Sequence, residues 1–130
     1  MNAALLVEDE LLIRELAYEY LCDFGFDVTI ARDATEALGI LREGKRFDLL
    51  FTDIRMPGGM DGRELAQEAK QMVEGLRVIY ATGYADGGTP LERGEKLIGK
   101  PYTMTALREA LRALGFGEPG TTGSGASAAS

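Results

Sequence analysis

Five short apolar runs, each closed by an acidic, polar or turn-forming residue, alternate along this chain with longer stretches whose apolar residues recur every three or four positions. The runs fall at Ala3 to Val7, Val28 to Ala31, Phe47 to Thr52, Val78 to Thr82 and Lys96 to Gly99. Runs this short and this continuously apolar suit strands covered on both faces. Between them, Ile13, Leu16, Ala17, Tyr20, Leu21 and Phe24 form one helical stripe that Gly25 ends. A second helix is predicted from Asp33, with Glu36 as its capping-box partner and Ala34, Ala37, Leu38 and Leu41 turned inward, up to Gly44. Asp61 and Glu64 repeat that start signal ahead of Leu65, Ala69, Met72 and Val73, and Thr103 opens a last helix burying Leu107, Ala110, Leu111 and Leu114 before Gly115. Strands alternating with helices pair in parallel through right-handed crossovers, so helices cover both faces of the sheet. The expected class is α/β, a doubly wound five-stranded parallel sheet.

A chain of 130 residues with 45% hydrophobic content suits one domain, here residues 1–116. Residues 117–130 are mostly Gly, Ser, Thr and Ala, too little apolar surface to offset the entropy of ordering, and are expected to form a disordered tail. With 21 acidic and 14 basic residues the formal charge is -7, a field that opposes nucleic acid. No apolar run has the length of a signal peptide or a membrane span, so no membrane association is expected and the expected compartment is the cytoplasm. The single cysteine, Cys22, fits a reducing environment and is read as a small core filler.

In an open parallel sheet, ligands bind beyond the carboxyl ends of the strands. Here the first strand ends in Glu8-Asp9, the third in Asp53, the fourth in Thr82 and the fifth in Lys100, so these polar groups should converge on one rim. Three carboxylates gathered there repel one another unless a cation joins them, and hard oxygen ligands favour Mg²⁺. Each piece alone is bland, since an acidic pair after a strand is usually a solvated helix start and a Lys-Pro pair a loop boundary. The chain has no histidine and no Gly-Lys-Ser/Thr phosphate loop, which removes histidine-based triads and Walker-type nucleotide binding.

Leu5-Leu6-Val7-Glu8-Asp9-Glu10, Asp53-Ile54-Arg55-Met56-Pro57, Ala81-Thr82-Gly83-Tyr84 and Lys100-Pro101-Tyr102, in that order, resemble the receiver domain of two-component response regulators over residues 3–114. The resemblance implies a flavodoxin-like sheet of strand order 2-1-3-4-5. It also implies a phosphoacceptor switch in a phosphorelay, in which Asp53 takes a phosphoryl group from a sensor histidine kinase or phosphotransfer protein. Glu8, Asp9, Asp53 and the Arg55 backbone carbonyl would hold Mg²⁺, with Mn²⁺ serving in its place, and Glu8 would act through water. Thr82 and Lys100 would hold phosphoryl oxygens, and Lys100 would pair with Asp53 beforehand. Such a domain is no enzyme beyond its own phosphorylation and dephosphorylation. It acts on a downstream protein target as a monomer or a phosphorylation-dependent dimer.

Several features depart from the family pattern. The loop from Met56 to Gly62 is one residue longer than usual, which Gly58 and Gly59 can absorb. Leu97 stands where many receivers carry a switch tyrosine or phenylalanine, leaving Tyr80, Tyr84 or Tyr102 to substitute. Gly87, Gly88, Pro90 and Gly94 disfavour a helix between the fourth and fifth strands, so a short or irregular fourth helix, mobile until phosphorylation, is expected. Tyr80-Ala81-Thr82-Gly83-Tyr84 is similar to the Phe-Ala-Thr-Gly subgroup of receivers, many of them single-domain. Two other classes compete with the switch. A Mg²⁺-dependent aspartyl phosphatase normally wants an acid where this chain has Arg55, and a phosphorylation-independent interaction module would not need the acidic rim.

Overall fold

The computed structural model describes residues 2–56, 59–83 and 90–117. Its strands are β1 (Ala3–Val7), β2 (Asp27–Ala31), β3 (Leu49–Asp53), β4 (Arg77–Thr82) and β5 (Glu95–Gly99), all parallel in the order β2-β1-β3-β4-β5. The helices are α1 (Leu11–Phe24), α2 (Ala34–Arg42), α3 (Gly62–Met72) and α4 (Met104–Ala113). Two apolar cores follow from the period-two alternation of the strands. Ala4, Leu6, Phe51, Ile79 and Ile98 face α1 and α4, whereas Leu5, Val7, Leu50, Val78 and Tyr80 face α2 and α3. Because both faces are covered, the central strands carry no polar side of their own until their last residues.

The helix starts and stops act as their sequences indicate. Asp61 accepts from the Arg63 and Glu64 amides while the Glu64 carboxylate accepts from the Asp61 amide, a complete capping box. Asp33 accepts from the Glu36 amide, but Glu36 returns to the Arg32 amide one residue earlier. Thr103 caps α4 through the Ala106 amide. After α1, Gly25 takes a left-handed φ of 106°, and the Phe26 amide reaches back to the Leu21 carbonyl.

Some expectations need correction. Cys22 is exposed rather than a core filler: α1 is apolar around more than one face, and Leu12 is left 80% exposed beside Leu11 and Tyr18. Met72 also points outward, and Val73 alone closes the core at the end of α3. The third strand begins at Leu49 rather than Phe47, because the Asp48 carboxylate accepts from the Ala3 amide and occupies the strand entrance. The fifth begins one residue early, at the buried Glu95. Residues 90–94 are not helical; residues 84–89, on which the rest of the fourth-helix expectation falls, lie outside the described residues, as do Pro57, Gly58 and the tail from 118.

Candidate functional site

Parallel pairing in register places the chemistry-bearing residues at one end of the sheet. Val7 pairs with Thr52, Asp53 with Ala81 and Thr82 with Gly99, so Glu8, Asp53, Thr82 and Lys100 emerge side by side at the carboxyl ends. Backbone bonds extend the ladder just beyond the strands: the Glu8 amide donates to the Ala31 carbonyl, Ile54 to Ala81, and Lys100 to Thr82 at 2.7 Å. Glu8, Asp53 and Thr82 are buried, and Asp9 is exposed.

The carboxylates of Glu8, Asp9 and Asp53 each offer an oxygen within 4.8 Å of the others. Lys100 reaches into this group and its Nζ donates to Asp53 Oδ2 at 2.8 Å. The same ammonium forms an ion pair with Glu8 Oε1 at 3.0 Å, and that buried oxygen has no hydrogen bond among the described residues. Glu8 Oε2 accepts from the Glu10 amide. Among the described residues Lys100 is thus shared between Asp53 and Glu8, with Asp9 as a third carboxylate beside them, and it satisfies only part of their capacity.

The electrostatics show the shortfall. Burial pushes the Asp53 carboxyl above its ordinary value, Lys100 offsets this only in part, and Asp9 adds to the rise. Burial likewise raises Glu8, against Lys100 and the Glu10 amide and with a further push from Asp53. Burial alone would lower Lys100, but its hydrogen bond to Asp53 and its ion pair with Glu8 outweigh it, and the ammonium is held more firmly protonated than usual. A site whose acids are raised and whose lysine is strengthened is short of positive charge. A hard cation coordinated by carboxylate oxygens fits that deficit.

Gly62 makes the geometry possible. A Cβ there would stand 2.0 Å from the Asp53 carbonyl oxygen, so only glycine lets α3 begin directly against β3. The Gly62 amide donates to the Ile54 carbonyl at 2.8 Å, and Thr52 Oγ1 donates to the Asp53 carbonyl. Arg55, two residues past Asp53, is exposed and lines a cavity of about 320 Å³ with Ile54, Met56, Asp61 and Arg63. Below the site the Tyr102 ring meets Phe51 edge-on at 5.6 Å, and burial raises the Tyr102 phenol beyond its ordinary range. The Lys100-Pro101 peptide is cis.

Every side chain predicted from the strand ends is thus at the rim: Glu8, Asp9, Asp53, Thr82 and Lys100. Sequence reasoning missed Gly62 as a steric requirement; its place directly after the Asp61 helix cap was the available signal.

Fold and site together define a doubly wound α/β protein with an acidic, lysine-bearing pocket at its strand ends. The response regulator receiver domain matches residues 4–112, and the chain belongs to that family. The chain is 34% identical over 113 residues to the response regulator receiver protein CpdR of Brucella abortus, covering 82% of this chain and 91% of that protein. It is 36% identical over 123 residues to the sensor histidine kinase AruS of Pseudomonas aeruginosa; that match covers 88% of this chain and 12% of the kinase, about an eighth of its length. Among solved structures, a response regulator receiver domain protein of Clostridium thermocellum superposes with a TM-score of 0.77 at 27% identity, over 88% of this chain and 94% of that one. The strand order and the receiver relatives mark this chain as a phosphoacceptor domain of two-component phosphorelays.

Proposed function

We propose that Asp53 is the residue that accepts the phosphoryl group, from a phosphohistidine of a sensor kinase or phosphotransfer protein, and that the acceptance requires Mg²⁺. The observation that carries this reading is the under-neutralised rim, with three carboxylates within 4.8 Å of one another and one ammonium bound to Asp53. Glu8, Asp9, Asp53 and the Arg55 carbonyl are the residues to hold the ion, Glu8 at one remove through water, with Mn²⁺ able to replace it. When bound, it supplies the positive charge that lets a carboxylate approach a phosphoryl group.

An Asp53 oxygen forms the bond to phosphorus as the phosphorus–nitrogen bond of the donor breaks, and the electron pair leaves with the imidazole. Lys100 moves its hydrogen bond from Asp53 Oδ2 to a phosphoryl oxygen, so the charge that anchored the free acid neutralises the acyl phosphate. Thr82 offers its hydroxyl to a second oxygen. Positioning and charge neutralisation are most of what such a transfer needs. The chain turns over no external substrate; it catalyses only its own phosphorylation and dephosphorylation.

The unit that performs this is residues 1–116. Its output is contact with a downstream protein, as a monomer or a phosphorylation-dependent dimer, and not with nucleic acid or membrane. Among the described residues no helix is long and apolar enough to cross a membrane. An exposed, unpaired Cys22 suits the reducing cytoplasm. The run from Tyr80 to Tyr84 groups the chain with the Phe-Ala-Thr-Gly receivers.

Incubation with a small phosphodonor tests the reading. The expected outcome is uptake of one phosphoryl group per chain with Mg²⁺ and none after chelation. Metal-independent uptake contradicts the role of the ion, and continuous hydrolysis of an external phosphomonoester would favour the phosphatase alternative.

A further inference from the structure

A second buried ionisable cluster lies on the α2–α3 face of the sheet and takes no part in the chemistry above. Glu95, the first residue of β5, is buried with both carboxylate oxygens occupied. Its Oε1 accepts from the Glu92 amide at 2.9 Å. Its Oε2 accepts from the Tyr80 hydroxyl at 3.1 Å and from the Lys70 ammonium, which also donates to Glu92 Oε1 at 3.0 Å. The Glu95 amide in turn donates to the Glu92 carbonyl at 3.1 Å, closing a turn at the strand entrance. One carboxylate thus ties together α3, β4, β5 and the turn before β5.

Replacing such a buried pair with apolar side chains is often neutral for stability, so what the network supplies here is relative placement. Two of its members lead back to the phosphoacceptor site. Lys70 is eight residues along α3 from Gly62, which abuts the Asp53 carbonyl, a span of about 12 Å at the helical rise. Tyr80 lies two residues before Thr82 in β4 and pairs across the sheet with Leu97, the position that lacks an aromatic side chain. A helix and a strand of these lengths move as units, and packed interfaces switch between arrangements instead of deforming smoothly.

We propose that the Lys70–Glu95–Tyr80 network couples the phosphorylation state of Asp53 to the Glu92–Glu95 turn, with α3 and β4 as its two arms. The inference rests on Asp53 being the phosphoacceptor. A shift of α3 against β3, or of the end of β4 toward a phosphoryl oxygen, arrives at Lys70 and Tyr80, and both of those side chains bear on the same Glu95 oxygen. Lys70 and Glu95 are positioning residues in this scheme and touch no reacting atom.

Amide NMR of the full chain tests the coupling, with beryllofluoride and Mg²⁺ as the phosphoryl mimic. In the parent protein the Glu92 and Glu95 amides should shift together with those of Asp53, Thr82 and Lys100. In Lys70→Met the shifts at Glu92 and Glu95 should fall below about half of the parent's, with those around Asp53 retained, and Lys70→Arg should restore them. Tyr80→Phe removes one hydroxyl from the core and should reduce the remote shifts while keeping the fold; if Lys70→Met does not fold, this variant decides. Equal remote shifts in parent and variants, or a parent in which the site responds and the turn does not, overturns the coupling. A parent with no response even at Asp53 would reject the phosphoacceptor reading, and the coupling with it.

Discussion

Glu8 and Glu95 are both buried glutamates at strand boundaries, and the protein treats them in opposite ways. Glu95 has a donor for each oxygen: Glu92 supplies an amide, Lys70 an ammonium and Tyr80 a hydroxyl. Burial works against its ionised form, but these partners prevail and hold its carboxyl below the ordinary value. Glu8 keeps one buried oxygen without a hydrogen bond and shares a single lysine with Asp53, and burial raises both acids. A buried carboxylate with a donor on each oxygen specifies a fold, and one left short of charge is prepared for a ligand. The contrast separates the functional site from the structural cluster even though both contain a lysine bound to carboxylates.

The substitution with the largest expected effect falls where the two regions meet. Gly62→Ala drives a methyl group into the Asp53 carbonyl, where the obstacle is backbone and cannot rotate away. Unfolding in urea should show a loss of about 3 kcal/mol. A loss under about 1 kcal/mol would show that α3 can retreat from β3 cheaply, and the helical arm of the coupling would fail with it.

Next in size, Glu95→Gln should cost about 2 kcal/mol near neutral pH, because it removes the charge that Lys70 and Tyr80 are arranged around. Asp53→Asn in metal-free buffer should leave the fold at least as stable as the parent, because it relieves repulsion with Glu8 and Asp9. Equal losses in the two variants would erase the distinction between the clusters.

Acidification sharpens the same contrast. Asp53 and Glu8 titrate above their ordinary values of 3.8 and 4.5, so their ionisation opposes folding at neutral pH and protonation removes the penalty as pH falls through the raised values. Glu95 titrates below its ordinary 4.5, so its stabilising contribution is complete above that pH and is lost as pH falls through the lowered value. Metal-free melting curves should therefore rise on mild acidification and fall on further acidification. Asp53→Asn should shrink the rise, and Glu95→Gln should shrink the fall.

The two regions also differ in how far the sequence discloses them. Glu8-Asp9, Asp53, Thr82 and Lys100 each follow an apolar run, and the rule that parallel strands present their ends together brings them to one rim without any knowledge of side-chain contacts. The Glu95 cluster obeys no such rule. Lys70 is 25 residues from Glu95 and reads as an ordinary exposed helix lysine, and Tyr80 reads as one more apolar strand residue; only the packing of α3 beside β4 and β5 joins them. Cys22 was misplaced for a related reason. The α1 sequence has more apolar residues than one stripe can hold, and periodicity alone does not say which of them face water. Cys22→Ser, outside both clusters and exposed, has the smallest expected effect: Tm within about 2 °C of the parent and unaltered phosphoryl uptake.

The central claim is that the under-neutralised rim receives the phosphoryl group at Asp53. Mapping the added mass by peptide analysis after treatment with a small phosphodonor and Mg²⁺ tests it most directly. The account predicts one phosphoryl group on the peptide that contains Asp53 and none on Asp53→Asn treated in the same way. Phosphate on any other peptide of the parent protein, or undiminished labelling of the variant, would contradict it.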